Sequence, residues 1–164
     1  MIIRPLAASD RNLVKNFYLA LNSEDRRKRF CGTVSEDVIS NYVDGLNFTQ
    51  HLVLGAFGDH ARLIGVAELA PGAKAREMAF TVRQDMRSQR IGTRLLARIL
   101  CHASMRGVRR VFVTFLADDA PMRRMAIRAG MQVQIARGEA YARRDILPPN
   151  AEDISQWAID EVVD

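Results

Sequence analysis

At 164 residues, with a net charge of +5, 48% apolar and 26% charged residues, the chain has the size and composition of one globular domain. No apolar run reaches the length of a membrane span, and Met1-Ile2-Ile3-Arg4-Pro5-Leu6 lacks the basic start and apolar core of a secretion signal. The expectation is a cytoplasmic protein with no membrane partner; Cys31 and Cys101 match no metal or redox spacing, so no metal site is expected.

The chain opens with a short strand, Met1 to Arg4, closed by Pro5. Ser9 or Asp10 then caps a helix with Leu13, Phe17 and Leu21 on one side. A basic cluster, Arg26 to Arg29, follows; it could dock an acidic partner but reads more simply as a solvated helix face. Ser35 caps a second helix that Gly45 ends. Two strands, His51 to Phe57 and Arg62 to Ala70, join through Gly58-Asp59-His60. Glu77 to Val82 is a further strand, with Glu77, Ala79 and Thr81 on one face and Met78, Phe80 and Val82 on the other.

A long helix from Ile91 carries the apolar positions Leu95, Leu96, Ile99 and Ala103 and stops at Gly107. Val111 to Leu116 is a buried strand. Asp119 caps the next helix, which Gly130 ends, and Gln132 to Ile135 with Ala140 to Arg144 form a terminal hairpin around Gly138. The order is strand, two helices, three strands, helix, strand, helix, two strands. It fits an α/β (α+β) domain over residues 1–147: a mixed, mostly antiparallel sheet of about seven strands with helices on both faces. Residues 148–164 form a tail after Pro148-Pro149, with Ile154, Trp157, Ala158 and Val162 on one side of an amphipathic helix. That stripe could cover the domain or a second copy, which makes a homodimer one reading of it.

Charge divides along the same line. The tail holds five acids and no Lys or Arg. Of the 19 acidic residues 14 therefore remain against all 24 basic ones, a body of +10. Such a body attracts polyanions, nucleic acid and phosphorylated cofactors alike. The richest stretch for the second class runs from Phe80 to Leu96. A strand ends in Phe80, Thr81 and Val82, and a polar loop of Arg87, Ser88, Gln89 and Arg90 leads into a helix at Ile91, Gly92 and Thr93. The start of a helix offers unpaired N–H groups and the positive end of its dipole, a seat for phosphate to which Arg87, Arg90 and Arg94 would add charge. A plain strand-to-helix connection with a solvated basic face is equally consistent with the spacing.

Arg87-x-x-Arg90-x-Gly92 resembles the coenzyme loop of the GNAT superfamily, Arg/Gln-x-x-Gly-x-Gly/Ala. The resemblance extends from Ile3 to about Ile146, through Arg4-Pro5-Leu6, Gly65-Val66-Ala67 and Asp119 to Met131. The segments Leu21 to Arg26, Arg29-Phe30 and Glu77 to Val82 are similar to Pat-type protein-lysine acetyltransferase domains found with acyl-CoA-synthetase-like chains. It implies a GNAT fold that moves an acetyl group from acetyl-CoA to an amine, a protein lysine or a small molecule. Coenzyme contacts would fall on Phe80, Thr81, Val82, Arg87, Ser88, Gln89, Arg90, Ile91, Gly92, Thr93, Asp119 and Met122. The sequence departs from the pattern where Arg90 replaces the first glycine, Asp119 an asparagine and Met131 a phenylalanine.

By position, Glu77 matches the glutamate that Pat-type enzymes use as base. Partial burial beside Met78 and Phe80 is expected to tune it. Glu68, on the neighbouring strand, is a second candidate that more simply faces solvent. The N–H near Val82 would receive the carbonyl oxygen. Tyr141 is the available phenol for a general acid, though a buried structural tyrosine is its plainer reading. A non-catalytic GNAT-fold binding module, weakened by Arg90 and Asp119, is the alternative; nucleic-acid binding ranks last.

Overall fold

The computed structural model describes residues 1–152 together with Ile154, Ser155 and Ala158. Its strands are β1 (Ile2–Pro5), β2 (Leu52–Phe57), β3 (Leu63–Leu69), β4 (Arg76–Val82), β5 (Arg110–Leu116), β6 (Gln132–Ala136) and β7 (Glu139–Asp145). They form one seven-stranded sheet in the order β1-β2-β3-β4-β5-β7-β6. Every neighbouring pair is antiparallel except β4 with β5. The expected mixed sheet is therefore present. The β6–β7 turn is a tight one: Ala136 pairs with Glu139, and both intervening residues, Arg137 and Gly138, take positive φ.

Three helices, not two, lie between the first strands: α1 (Arg11–Leu19), α2 (Ser23–Phe30) and α3 (Glu36–Asp44). The segment read as a basic cluster is the additional helix. Asn22 caps it by accepting from the Asp25 N–H at 2.8 Å. Glu24 and Asp25 in its first turn and Arg27, Lys28 and Arg29 in its last both oppose the helix dipole favourably. Ser35 caps α3 as expected, through the Val38 N–H. On the far side of the sheet lie α4 (Ile91–Met105) and α5 (Ala120–Arg128), the latter capped by Asp119.

The sheet separates two apolar cores. Val14, Phe17, Tyr18 and Leu21 of α1 and its exit pack with Ile39 and Val43 of α3 against Val53 and Val66. Ile91, Leu95, Leu96, Ile99 and Ala103 of α4 pack against Leu54, Ala67, Leu69, Met78, Val111 and Val113. The alternation read in β4 holds, since Met78 is buried in the α4 core while Glu77 lies on the α1–α3 face. No helix among the described residues is long and apolar enough to cross a membrane. In the tail, Ala151, Glu152, Ile154, Ser155 and Ala158 are helical and Ile154 is exposed; Trp157 and Val162, part of the expected stripe, lie outside the described residues.

Gly55 in the middle of β2 has a packing role. A Cβ there would meet Leu63 Cδ1 at 2.9 Å, Leu6 Cδ2 at 3.0 Å and Phe57 Cε2 at 3.0 Å. Gly55→Ala is expected to destabilise the fold by about 1–3 kcal/mol through overpacking, read as a lowered midpoint in urea denaturation.

Candidate active site

The two parallel strands at the centre of the sheet pair over only two rungs, Arg76 with Val111 and Glu77 with Phe112. Beyond Glu77 they part. Each remains fully paired on its other side, β4 to β3 and β5 to β7. The Glu77 carbonyl accepts from Ala70 N–H and the Arg83 N–H reaches the Ile64 carbonyl, so odd-numbered residues of β4 spend their backbone groups on β3. Phe80 and Val82 then point their N–H and C=O groups toward the gap where β5 has withdrawn. The result is a cleft walled on one side by an unpaired strand edge.

Below that edge the chain makes a 3₁₀ turn at Gln84–Met86 and enters α4. Ser88 (φ 67°) and Arg90 (φ 59°) both adopt the left-handed conformation. Arg90 thus takes up the backbone geometry for which glycine is the easier residue, at a strain of roughly 1–2 kcal/mol. Among the described residues, no backbone or side-chain acceptor serves the N–H groups of residues 88–93. The Arg90 and Arg94 side chains are exposed and make no hydrogen bond or ion pair among the described residues. Arg87 differs: its guanidinium is bonded to Asp25, a buried carboxylate in the first turn of α2. Gly92 keeps α4 close to α5, since a Cβ there would sit 3.3 Å from Met125 Sδ.

Glu77 stands at the last rung before the strands part. It is exposed, so the burial expected beside Met78 and Phe80 is absent, and its carboxylate has no hydrogen bond or ion pair among the described residues. Arg76 does not pair with it. Phe112, Thr114 and, across β7, Tyr141 share its face of the sheet. Tyr141 is not buried as expected. It is 36% exposed, and its ring lies 5.4 Å from that of Phe112. Over this face hangs Cys31, the left-handed C-terminal cap of α2, whose Sγ–H donates to the Thr114 carbonyl at 3.7 Å. Burial, assisted by the carboxylates of Glu139, Glu77 and Asp119 and opposed by Arg29, pushes its thiol pKa up. Cys31 is a neighbour of the site that sequence spacing gave no reason to choose.

Glu68 is the opposite of a solvent-facing carboxylate. It is 2% exposed and accepts from the hydroxyls of Tyr18 and Tyr42 and from Arg29 Nη2 at 2.8 Å. Burial would raise its pKa, but Arg29 and the two hydroxyls outweigh this and hold it below the ordinary value. Arg29 itself lies among the rings of Tyr18, Phe30 and Tyr42, its guanidinium carbon 4.8–5.3 Å from their centroids. The basic cluster is accordingly no solvated face. Arg26 bonds the carbonyls of Leu19 and Leu21, and Arg27 pairs with Glu24 and Asp118. His51, whose pKa burial lowers, stands 4.0 Å from Glu68.

The family model described as the acetyltransferase (GNAT) family matches residues 18–131. The chain belongs to the acetyltransferase (GNAT) family. No curated protein sequence matches it. Solved structures agree on the fold. The GNAT domain of S. lividans PAT is similar at 21% identity and a TM-score of 0.74, over 88% of this chain and 89% of that one. The ribosomal-protein-alanine N-acetyltransferase of Brucella melitensis is similar at 16% identity and TM-score 0.69, over 89% and 100%. The yncA protein of Salmonella typhimurium, solved with acetyl-CoA as its cofactor, is similar at 17% identity and TM-score 0.67, over 92% and 98%.

As a GNAT acetyltransferase the protein is an acyl-CoA-dependent N-acyltransferase with acetyl-CoA as co-substrate. Its residues fit that molecule. The unserved N–H groups of residues 88–93 at the mouth of α4 can hold a diphosphate. The free backbone groups of Phe80 and Val82 can hold the amides of the pantetheine arm. The Asp119 carboxylate is engaged with the Met122 N–H at 3.2 Å, so its evident work is capping α5. No group of three or more His, Cys, Asp or Glu suited to a metal occurs among the described residues.

Removing the charge of Glu68 leaves Arg29 buried among rings without its counter-ion. Glu68→Gln is expected to destabilise the protein by about 3–5 kcal/mol at pH 7. Because folding lowers the Glu68 pKa, its contribution is complete above the unfolded value of about 4.3 and fades as pH falls through the folded one. Chemical denaturation should show wild type and variant converging at acid pH.

Proposed function

We propose that this transferase acetylates a primary amine, with a protein lysine as the favoured acceptor, by direct attack assisted by Glu77 as general base. The observation that carries the reading is the placement of Glu77: an exposed carboxylate without a side-chain partner among the described residues, on the last rung before β4 and β5 separate. Acetyl-CoA supplies the acyl carbon and a thiolate, an undemanding leaving group because thiols are far more acidic than alcohols or amines. A lysine amine, with a pKa of about 10.4, is mostly protonated at neutral pH and needs a base. Glu77 takes that proton directly or through a water, as the new C–N bond forms and the C–S bond breaks. The Val82 N–H, free of β5, donates to the carbonyl oxygen as it gains negative charge. Tyr141 is exposed on the same face and can donate its phenolic proton to the departing sulfur, to be replaced from solvent.

Glu68 supports this site without taking part in the chemistry. Both of its oxygens are already committed, and a carboxylate with a lowered pKa is a weaker base. The lysine acceptor rests on the likeness of Leu21 to Arg26, Arg29-Phe30 and Glu77 to Val82 to Pat-type domains. The Brucella relative's name specifies a ribosomal-protein alanine, so a protein N-terminus is the acceptor to compare. The binding-module alternative loses its main support at Arg90. That residue reaches the left-handed backbone which leaves the loop amides available, and its free side chain can pair with a phosphate.

Glu77→Gln should lower kcat about 10²–10⁴-fold in an acetyl-transfer assay across lysine peptides and small amines, with acetyl-CoA binding by calorimetry unchanged. An undiminished kcat would remove Glu77 from the mechanism. Arg90→Gly should leave stability equal or up to about 1 kcal/mol higher, because glycine relieves the left-handed strain. The same variant should bind acetyl-CoA more weakly and with a shallower dependence on salt, read by calorimetry at two ionic strengths.

A further inference from the structure

Helix α2 touches both halves of the site. At its C-terminal end Cys31 meets β5 at Thr114 and Arg27 reaches Asp118. In its last turn Arg29 joins it to Glu68 of β3. At its N-terminal end two bonds run to the coenzyme loop: Asn22 Nδ2 donates to Gln84 Oε1 at 2.8 Å, and Arg87 donates to Asp25. The Asp25 side chain is 4% exposed and that of Arg87 44%.

These exposures decide which partner can let go. Arg87 can turn into water at little cost. Asp25 cannot, and a buried carboxylate stripped of its cation is strongly unfavourable. Were Arg87 to leave for a coenzyme phosphate, Asp25 would be stranded. Arg90 and Arg94 meanwhile stand exposed with no partner among the described residues. Arg87 is therefore retained by α2 in the bound state as well as the free one. Its effect is to pin the residue immediately before the two left-handed positions, Ser88 and Arg90, on which the direction of the loop amides depends.

We infer that Asp25 is a positioning residue for coenzyme binding: it holds Arg87 as a fastener of the loop, and Arg87 is not itself a ligand of the diphosphate. The inference rests on the reading that residues 88–93 hold that diphosphate. It reverses the ordinary expectation for a loop arginine, and it makes a carboxylate on another helix necessary for binding an anion.

The two assignments differ in sign. If Arg87 served the diphosphate, Asp25 would compete for it, and Asp25→Asn would free the arginine and tighten binding. With Asp25 as fastener, Asp25→Asn loosens the loop and weakens binding although a negative charge has been removed. Calorimetric titration of CoA into wild type, Asp25→Asn, Arg87→Ala, Arg87→Lys and the Asp25→Asn/Arg87→Ala double variant reads this directly. The expected result is a loss of about tenfold or more for each of Asp25→Asn and Arg87→Ala, from misplaced amides. The double variant should be no worse than either single one. Arg87→Lys, which keeps an ion pair to Asp25, should recover much of the affinity. In turnover, Asp25→Asn should raise the KM for acetyl-CoA with kcat nearly unchanged, because β4 is untouched.

Should Asp25→Asn lower the melting point, the contrast between Arg87→Lys and Arg87→Ala carries the test. Unchanged or tighter CoA binding by a folded Asp25→Asn variant, or equal losses in Arg87→Lys and Arg87→Ala, would overturn the inference. A wild-type protein giving no heat with CoA would instead sink the loop reading beneath it.

Discussion

Everything in this domain that bears on chemistry depends on β4 and β5 ceasing to pair after Glu77 and Phe112. Strands in a buried sheet do not give up backbone hydrogen bonds without compensation, because unserved N–H and C=O groups are costly away from water. Here each strand is held by its outer neighbour, β4 by β3 and β5 by β7, with unbroken registers. The central pair can therefore open without unravelling either half. What opening creates is a slot with a free strand edge on one wall and a helix mouth at its foot. An extended molecule carrying amides along its length and a diphosphate at one end answers both features together.

The second constraint is electrostatic. On the face of the sheet that carries Glu77, α1 and α3 pack through an apolar core, but α2 could not be held there by apolar contact alone. α2 contributes one aromatic residue, Phe30, and a series of charges. Its place is fixed by buried charges that keep a partner: Asp25 with the exposed Arg87, and Arg29 with Glu68 inside a ring of aromatic side chains. Such pairs are poor sources of net stability but severe in geometry, since a buried charge cannot lose its partner cheaply. That severity suits an element that holds Cys31 against β5 at Thr114 while tying down Arg87 ahead of α4. Glu68 and Glu77 lie on one face of adjacent strands yet meet opposite environments. One is sealed and held ionised by Arg29; the other is open and uncommitted.

How far the sequence revealed this follows from the range of the interactions. Strands alternate with period two, and long helices repeat their apolar stripe. The sheet, α4 and the caps at Ser35 and Asp119 were legible for that reason. The loop proposed to hold the coenzyme was legible as a strand-to-helix connection because its signal is local: basic residues and a glycine between a strand and a helix. α2 was not, because it has no apolar period to read. Glu68 was misread for a related reason. A carboxylate within a strand looks like a solvent-facing position, and the residues that neutralise it lie 26, 39 and 50 positions away. The exposure of Tyr141 has a local signal. Ala140 and Ala142 flank it as the small, buried positions of β7, which places the tyrosine on the outer face. The resemblance to Pat-type domains pointed to Glu77 by position, but the burial supposed to tune it is not there.

The most direct test of the account is amide hydrogen exchange with and without CoA. Protection should rise at Phe80 and Val82, where β4 faces the gap, and across residues 88–93, whose N–H groups have no acceptor among the described residues, while the terminal hairpin of β6 and β7 stays as it was. Unchanged exchange at those amides, with protection appearing on another surface, would contradict the claim that the parted strands and the mouth of α4 form the coenzyme site.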